Sequence, residues 1–253
     1  MKVLKIISIA IFGLLLNVSI AQDLDEVLKS HFEAVNQDAV SQLKGIHIKG
    51  KSGRMGQEFN FEMWQKRPGM FRMEVDIQGM KMIQVYDGEK AFMVAPWTGS
   101  LEPQELGTTE SEQFKEQADM DGDLWNYKEK GSTLTLEESE DFEGTEVFVL
   151  KLVKKNGDVK IYYLDADSFL PIKAESTMQS QGAEVKMESF MSNYKEVDGI
   201  VTPFYIETRV DGQVVSTITM EEVIFNSEMA SDLFIKPPSP PAAEEPKSTE
   251  SSK

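Results

Sequence analysis

Residues 59–77, FNFEMWQKRPGMFRMEVDI, set up one apolar alternation, break it at Lys66-Arg67-Pro68-Gly69 and then resume it. Phe59, Phe61 and Met63 alternate with Asn60, Glu62 and Trp64, and beyond the Pro68-Gly69 turn Phe71, Met73, Val75 and Ile77 alternate with Arg72, Glu74, Asp76 and Gln78. Side chains along a strand point to opposite faces with a period of two, so the stretch predicts two adjacent strands, each with one apolar face.

The same period continues downstream. Lys81–Tyr86 and Lys90–Ala95 flank Asp87-Gly88, a pair that tolerates the positive φ of a tight hairpin. Further alternating runs fall at 133–136, 146–153, 159–164, 172–177, 184–190, 204–210 and 214–225, separated by turn pairs such as Asn156-Gly157, Asp198-Gly199 and Asp211-Gly212. About eleven strands follow from the pattern, too many to lie flat, and a barrel or half-barrel is expected. A polar stretch from Gly99 to Asp123 interrupts them and reads as a long loop with a short helix over Ser111–Ala118.

Upstream the period changes. Leu24, Val27, Leu28, Phe32 and Val35 recur at spacings of three and four, which places them on one face of an amphipathic helix. Ahead of it, residues 1–22 combine Lys2 and Lys5, an apolar run from Ile6 to Leu16 and the small-residue ending Ser19-Ile20-Ala21, the pattern of a cleaved export signal. Cysteine is absent, so an exported chain of this kind relies on its core alone. From residue 237 to Lys253 the composition turns to Pro, Ser and Glu without apolar period, and a disordered tail is expected. Three segments result: a signal peptide over 1–22, a folded domain over 23–236 and a tail over 237–253.

Charge narrows the partners. The formal net charge is −17, and removing a leader that holds two lysines and no acid makes it −19. That disfavours nucleic acid and a direct grip on anionic lipid headgroups. Composition also offers little to an enzyme. The two histidines, His31 and His47, lack partners at metal-ligand spacing and read as surface residues. No nucleophile elbow, zinc-binding helix or phosphate loop occurs. In Asp119-Met-Asp-Gly-Asp123 the alternate carboxylates suggest a calcium loop, but Gly falls at the fourth place and Lys130 at the twelfth, so a solvated loop is expected. No metal, cofactor or catalytic residue is expected; a hydrolase with paired carboxylates is the remaining enzymatic alternative.

Methionine is the unusual residue. Seven of fourteen, Met55, Met63, Met70, Met73, Met80, Met82 and Met93, lie in about forty residues together with Phe59, Phe61, Phe71, Phe92 and Trp97. Met adapts to irregular apolar shapes, so a surface lined this way can take acyl chains without specifying one.

The run from Phe61 to Glu74, FEMWQKRPGMFRME, with Val85-Tyr-Asp-Gly-Glu-Lys-Ala-Phe-Met-Val-Ala-Pro-Trp97, resembles the signature of the LolA-like outer-membrane lipoprotein carriers, as do Tyr162-Tyr-Leu-Asp, Leu170-Pro-Ile-Lys and Asn193-Tyr-Lys-Glu-Val-Asp-Gly. The resemblance implies a mainly β fold, an unclosed antiparallel barrel with an N-terminal helix and short lid helices over its concave face. It implies a periplasmic carrier that binds lipoprotein acyl chains and passes them towards the outer membrane, with a lipoprotein or other acylated lipid as cargo and a membrane-bound donor or acceptor. An envelope sensor that binds lipid or lipoprotein is the alternative within the same fold. Phe59, Phe61, Met63, Phe71, Met73, Val75, Ile77, Phe92 and Val94 would then line the cavity, and Arg67 would hydrogen-bond the lid. Glu at Phe71 is expected to block transfer and leave the fold intact.

Overall fold

A computed structural model describes residues 23–54, 56–180 and 183–239. The proposed leader and all but the first three residues of the proposed tail lie outside these limits.

Helix α1 (Leu24–Val35) begins where the Asp23 carboxylate accepts a hydrogen bond from the Glu26 amide, and it ends at Asn36 in the left-handed region. A short helix, α2 (Gln37–Gln42), follows directly. Fourteen strands come next: β1 (Gly45–Arg54), β2 (Gln57–Lys66), β3 (Met70–Ile77), β4 (Met80–Tyr86), β5 (Ala91–Val94), β6 (Gln104–Glu105), β7 (Thr133–Leu136), β8 (Glu140–Phe142), β9 (Thr145–Val153), β10 (Val159–Asp165), β11 (Pro171–Ser180), β12 (Ala183–Val197), β13 (Ile200–Val210) and β14 (Gln213–Phe225). Helix α3 (Thr108–Ala118) separates β6 from β7.

All fourteen strands form one antiparallel sheet. Its order is β6-β5-β4-β3-β2-β1-β14-β13-β12-β11-β10-β9-β7, with β8 paired to the remaining length of β9. β6 and β7 stand at opposite ends of that order, so the barrel is unclosed, as expected. The N- and C-terminal strands meet in the middle, where β1 pairs with β14 across a register shift at Lys49/Gly50. Gly50 is needed there, because a Cβ would stand 2.1 Å from the Thr219 carbonyl oxygen and 3.0 Å from the Phe61 ring.

Four features differ from the sequence-based expectation. β1, rich in Lys, Gly and Ser, was not separable by alternation, and β6 and β8 are too short to show any period. The stretch Gly99–Asp123, expected to be mostly loop, contains β6 and an eleven-residue α3. Helix α2 is added to the single amphipathic helix expected. Towards the C-terminus a 3-10 turn at Ser231–Phe234 buries Phe234, and the start of the segment expected to be disordered makes contacts: Pro237 is buried, and the exposed Ser239 Oγ donates to Glu102.

The helices cover one face of the sheet. Val27 and Leu28 of α1 pack on Leu134, Leu150, Leu152 and Leu164 from β7, β9 and β10, with Leu124 closing the cluster. At the other end, Phe114 and Ala118 of α3 pack on Phe71, Tyr86 and Ala91. The face between these two clusters is floored by β1, β2 and β11–β14.

Candidate functional site

Cross-strand partners point to the same side of a sheet, so the register divides the side chains between two faces. Phe61 opposes Val75, Met63 opposes Met73, and Gln65 opposes Phe71, which in turn opposes Tyr86. These residues, with Phe59 and Ile77, share the concave face with α3. Phe71 is 1% exposed and its ring meets Phe114 edge-on at 6.0 Å. Phe61 and Val75 are buried with Ile48, whereas Phe59, Met63, Met73 and Ile77 are only partly covered.

Phe92 and Val94 stand elsewhere. Phe92 opposes Val85, which opposes Arg72, and Val94 opposes Ile83, so both point to the convex face. There the C-terminal segment covers them: Arg72 Nη1 donates to the Leu233 carbonyl and Lys236 Nζ lies 5.9 Å from the Phe92 ring. The sheet is buried on both sides at β4 and β5, so alternation could not tell which apolar set belongs to the hollow.

A cavity of about 960 Å³ lies on the concave face beside the Phe- and Met-rich strands. Its floor is Tyr162 of β10, Ala174 of β11, Met187, Ser189 and Met191 of β12 and Ile206 of β13; its roof comes from His31, Phe32 and Gln37 and from α3 with the segment leading to Trp125. None of the nine residues named for lipid binding lines it. A cross-sheet row nevertheless joins the two regions. Phe59 opposes Ser52, Ser52 opposes Ile218, Ile218 opposes Ile206, and Ile206 opposes Met191. At about 4.8 Å per strand the row spans roughly 19 Å.

The roof is held by charge. Arg67, in the turn between β2 and β3, donates from Nη1 and Nη2 to both oxygens of Asp121 at 2.7 and 2.6 Å, from Nε to the Leu43 carbonyl at 2.8 Å and from Nη2 to the Val40 carbonyl at 3.2 Å. One guanidinium thus joins the end of α2 to the segment after α3. Asp119 pairs with Lys130 at 2.5 Å. Asp123 accepts from Lys160 and from the Tyr162 hydroxyl, both at 2.9 Å, and pairs with Lys154 at 3.1 Å; Lys154 also reaches Glu116 of α3 at 2.9 Å. Burial works against the Asp123 carboxylate, yet Lys160 and Lys154 outweigh it and hold the group well below the ordinary range. Burial, then the Asp123 charge, push the Tyr162 phenol well up. The 119–123 run is therefore not the solvated loop expected from its composition, since each of its three aspartates has a cationic partner.

His31 also departs from the surface placement expected of it. It is buried, and its Nδ1 donates to the Phe169 carbonyl at 2.9 Å, which assigns the proton to Nδ1 because a carbonyl can only accept. Burial lowers its pKa, partly opposed by that bond. The imidazole stands beside Phe32, whose ring meets Trp125 edge-on at 5.0 Å, so this side of the roof is aromatic. His47 stacks on Trp64 at 4.9 Å on the convex face and bonds Glu62 at 3.0 Å.

No family model and no curated protein matches the chain. Solved structures do. A LolA superfamily protein from Nitrosomonas europaea superposes with a TM-score of 0.56 at 13% identity, covering 85% of this chain and 99% of the other. The chain has a LolA-like fold. A putative outer membrane lipoprotein-sorting protein domain from Vibrio parahaemolyticus matches with a TM-score of 0.53 at 11% identity over 82% and 97% of the two chains. A DUF1329 family protein from Desulfovibrio piger gives 0.57 at 15% identity over 83% and 97%. At these identities the likeness is one of LolA-like architecture. Among the described residues no helix is long and apolar enough to cross a membrane.

Proposed function

We propose that this chain is a periplasmic carrier that holds the acyl chains of lipoproteins or of another acylated lipid and hands them on without covalent chemistry. The observation that carries this reading is the cavity of about 960 Å³ between the roof and β10–β13, continuous in register with the row from Met191 to Phe59. That volume suits a lipid-sized guest. A chain leaving water for such a surface gains roughly 0.8 kcal/mol per methylene, while lifting the roof breaks the Arg67–Asp121 and Asp123 contacts and offsets part of that gain. Binding stays tight enough to carry and weak enough to release. The partly covered Met63 and Met73 extend the adaptable surface beyond the cavity itself.

At the cavity edge Asp123, held well below the ordinary carboxylate range, is unsuited to act as a general acid. In this reading the pattern of residues 1–22 serves as an export leader, the carrier works in the periplasm, and its donor or acceptor is membrane-bound.

The test is purification without detergent followed by mass spectrometry of organic extracts. Acylated lipid at a stoichiometry near one per chain is the expected result. A chain that carries none, and that binds neither lipid nor lipoprotein when these are added back, would rule the carrier out.

A further inference from the structure

Two cations that line the cavity, Lys154 and Lys160, stand on the wall opposite the carboxylates they meet. Lys160 and Tyr162 project from β10, and Lys154 directly follows the last residue of β9 in the turn that leads to β10, so all three stand on the sheet side. The carboxylates that neutralise them, Asp123 and Glu116, belong to the roof. Lifting the roof to admit a guest therefore does more than expose an apolar floor. It separates two ammonium groups and a phenol from the anions that satisfy them, at the border of a surface floored by Met187, Met191 and Ile206. Among the described residues Lys160 has no carboxylate partner besides Asp123, and the Tyr162 hydroxyl has no other acceptor.

A cation left without its partner in a half-buried site is costly, and the cost disappears if the guest brings an anion of its own. We propose that the cavity selects amphiphiles with an anionic head group, phosphate or carboxylate, which takes the place of the Asp123 carboxylate on Lys160, Lys154 and Tyr162 while the alkyl tail lies on the floor. This inference rests on the carrier reading and names the class of its cargo; it departs from the expectation, drawn from the net charge of the chain, that anionic lipid headgroups are disfavoured, because Lys154 and Lys160 set the local charge at this site. Asp123 then acts as a built-in competitor: it occupies the head-group position when the cavity is closed and leaves when an anion arrives. A neutral lipid of equal chain length would have to open the roof without that compensation.

The experiment measures the affinity of the full chain for dodecyl phosphate, monolauroylglycerol and dodecyltrimethylammonium, each below its micelle concentration, by Trp fluorescence and calorimetry. Dodecyl phosphate should bind about tenfold or more tighter than the neutral ester, and the cationic probe weakest. In Lys154→Gln/Lys160→Gln the preference for phosphate should vanish while affinity for the neutral ester is kept or raised. Asp123→Asn should strengthen the binding of dodecyl phosphate and of the ester alike. Tyr162→Phe removes one donor without changing charge and should reduce the preference severalfold, so the proposal stays testable if the double lysine variant does not fold. Equal affinity for the phosphate and the ester, or a preference that survives in the lysine and tyrosine variants, overturns the head-group site and leaves the carrier standing. Failure of all three probes to bind overturns both.

Discussion

Arg67 grips Asp121 through two parallel hydrogen bonds of 2.6 and 2.7 Å across 54 positions of sequence, and with its remaining donors holds the carbonyls that end α2. Bidentate pairs of this geometry are the stronger kind, and here the pair fixes two roof segments to one turn of the sheet. Removing either partner leaves the other short of hydrogen bonds in a half-buried position. Arg67→Gln and Asp121→Asn should each cost about 1–2 kcal/mol and lower Tm by roughly 2–8 °C. The double variant should cost little more than either single one, because the same contact is lost. Limited proteolysis should show faster cleavage between residues 119 and 131 in all three. Additive losses would mean that Arg67 and Asp121 act independently.

Phe71 behaves as interior. Its burial at 1% exposure against Phe114, Tyr86 and Ala91 does not agree with a substitution that leaves the fold intact. Phe71→Ala should cost about 3–5 kcal/mol and Phe71→Glu more, since a charge would be added to the lost packing. Near-ultraviolet circular dichroism and denaturant melts should report release of α3 in both. A Phe71→Glu protein with unchanged stability would place the ring outside the α3 cluster.

The sequence shows the architecture best where one face is buried and the other is wet. Phe59, Phe61 and Met63 against Asn60 and Glu62, and Met73 and Val75 against Arg72 and Glu74, define their strands because each partner set is polar. β5 defeats the same rule, since Ala91 and Met93 face the hollow while Phe92 and Val94 face the C-terminal segment. The cavity floor was harder to find. On β12, Met187, Ser189 and Met191 alternate with Glu188 and Phe190, a mixed pattern that points to neither face. The roof contacts join Asp123 to residues 31 to 39 positions away, and no local period records such a pairing. Two signs were nevertheless present: three aspartates at every second position, and Lys154 and Lys160 on either side of the Asn156-Gly157 turn.

His31 makes stability depend on pH. Its folded pKa lies below the ordinary 6.5, so between these two values the unfolded chain binds the proton more strongly. Stability should fall as pH drops below about 6.5 and level off once the folded value is passed. Above neutrality this residue should contribute no slope. Urea melts from pH 7.5 down to pH 5 should show the loss, and His31→Phe should flatten that part of the curve although its stability at pH 7.5 is lower for want of the Phe169 bond. An unaltered slope in the variant would assign the titration to another group.

The central claim is that an alkyl chain lies between the roof and β10–β13 on the concave face. A palmitoyl probe bearing a diazirine near its methyl end, photolysed on the delipidated full chain and mapped by peptide mass spectrometry, tests it directly. Adducts should concentrate on Met187, Met191, Ile206, Ile218 and Trp125, compete with unlabelled acylated lipid and spare Phe92 and Val94. Adducts on the convex face, or labelling that unlabelled lipid does not reduce, would contradict the account.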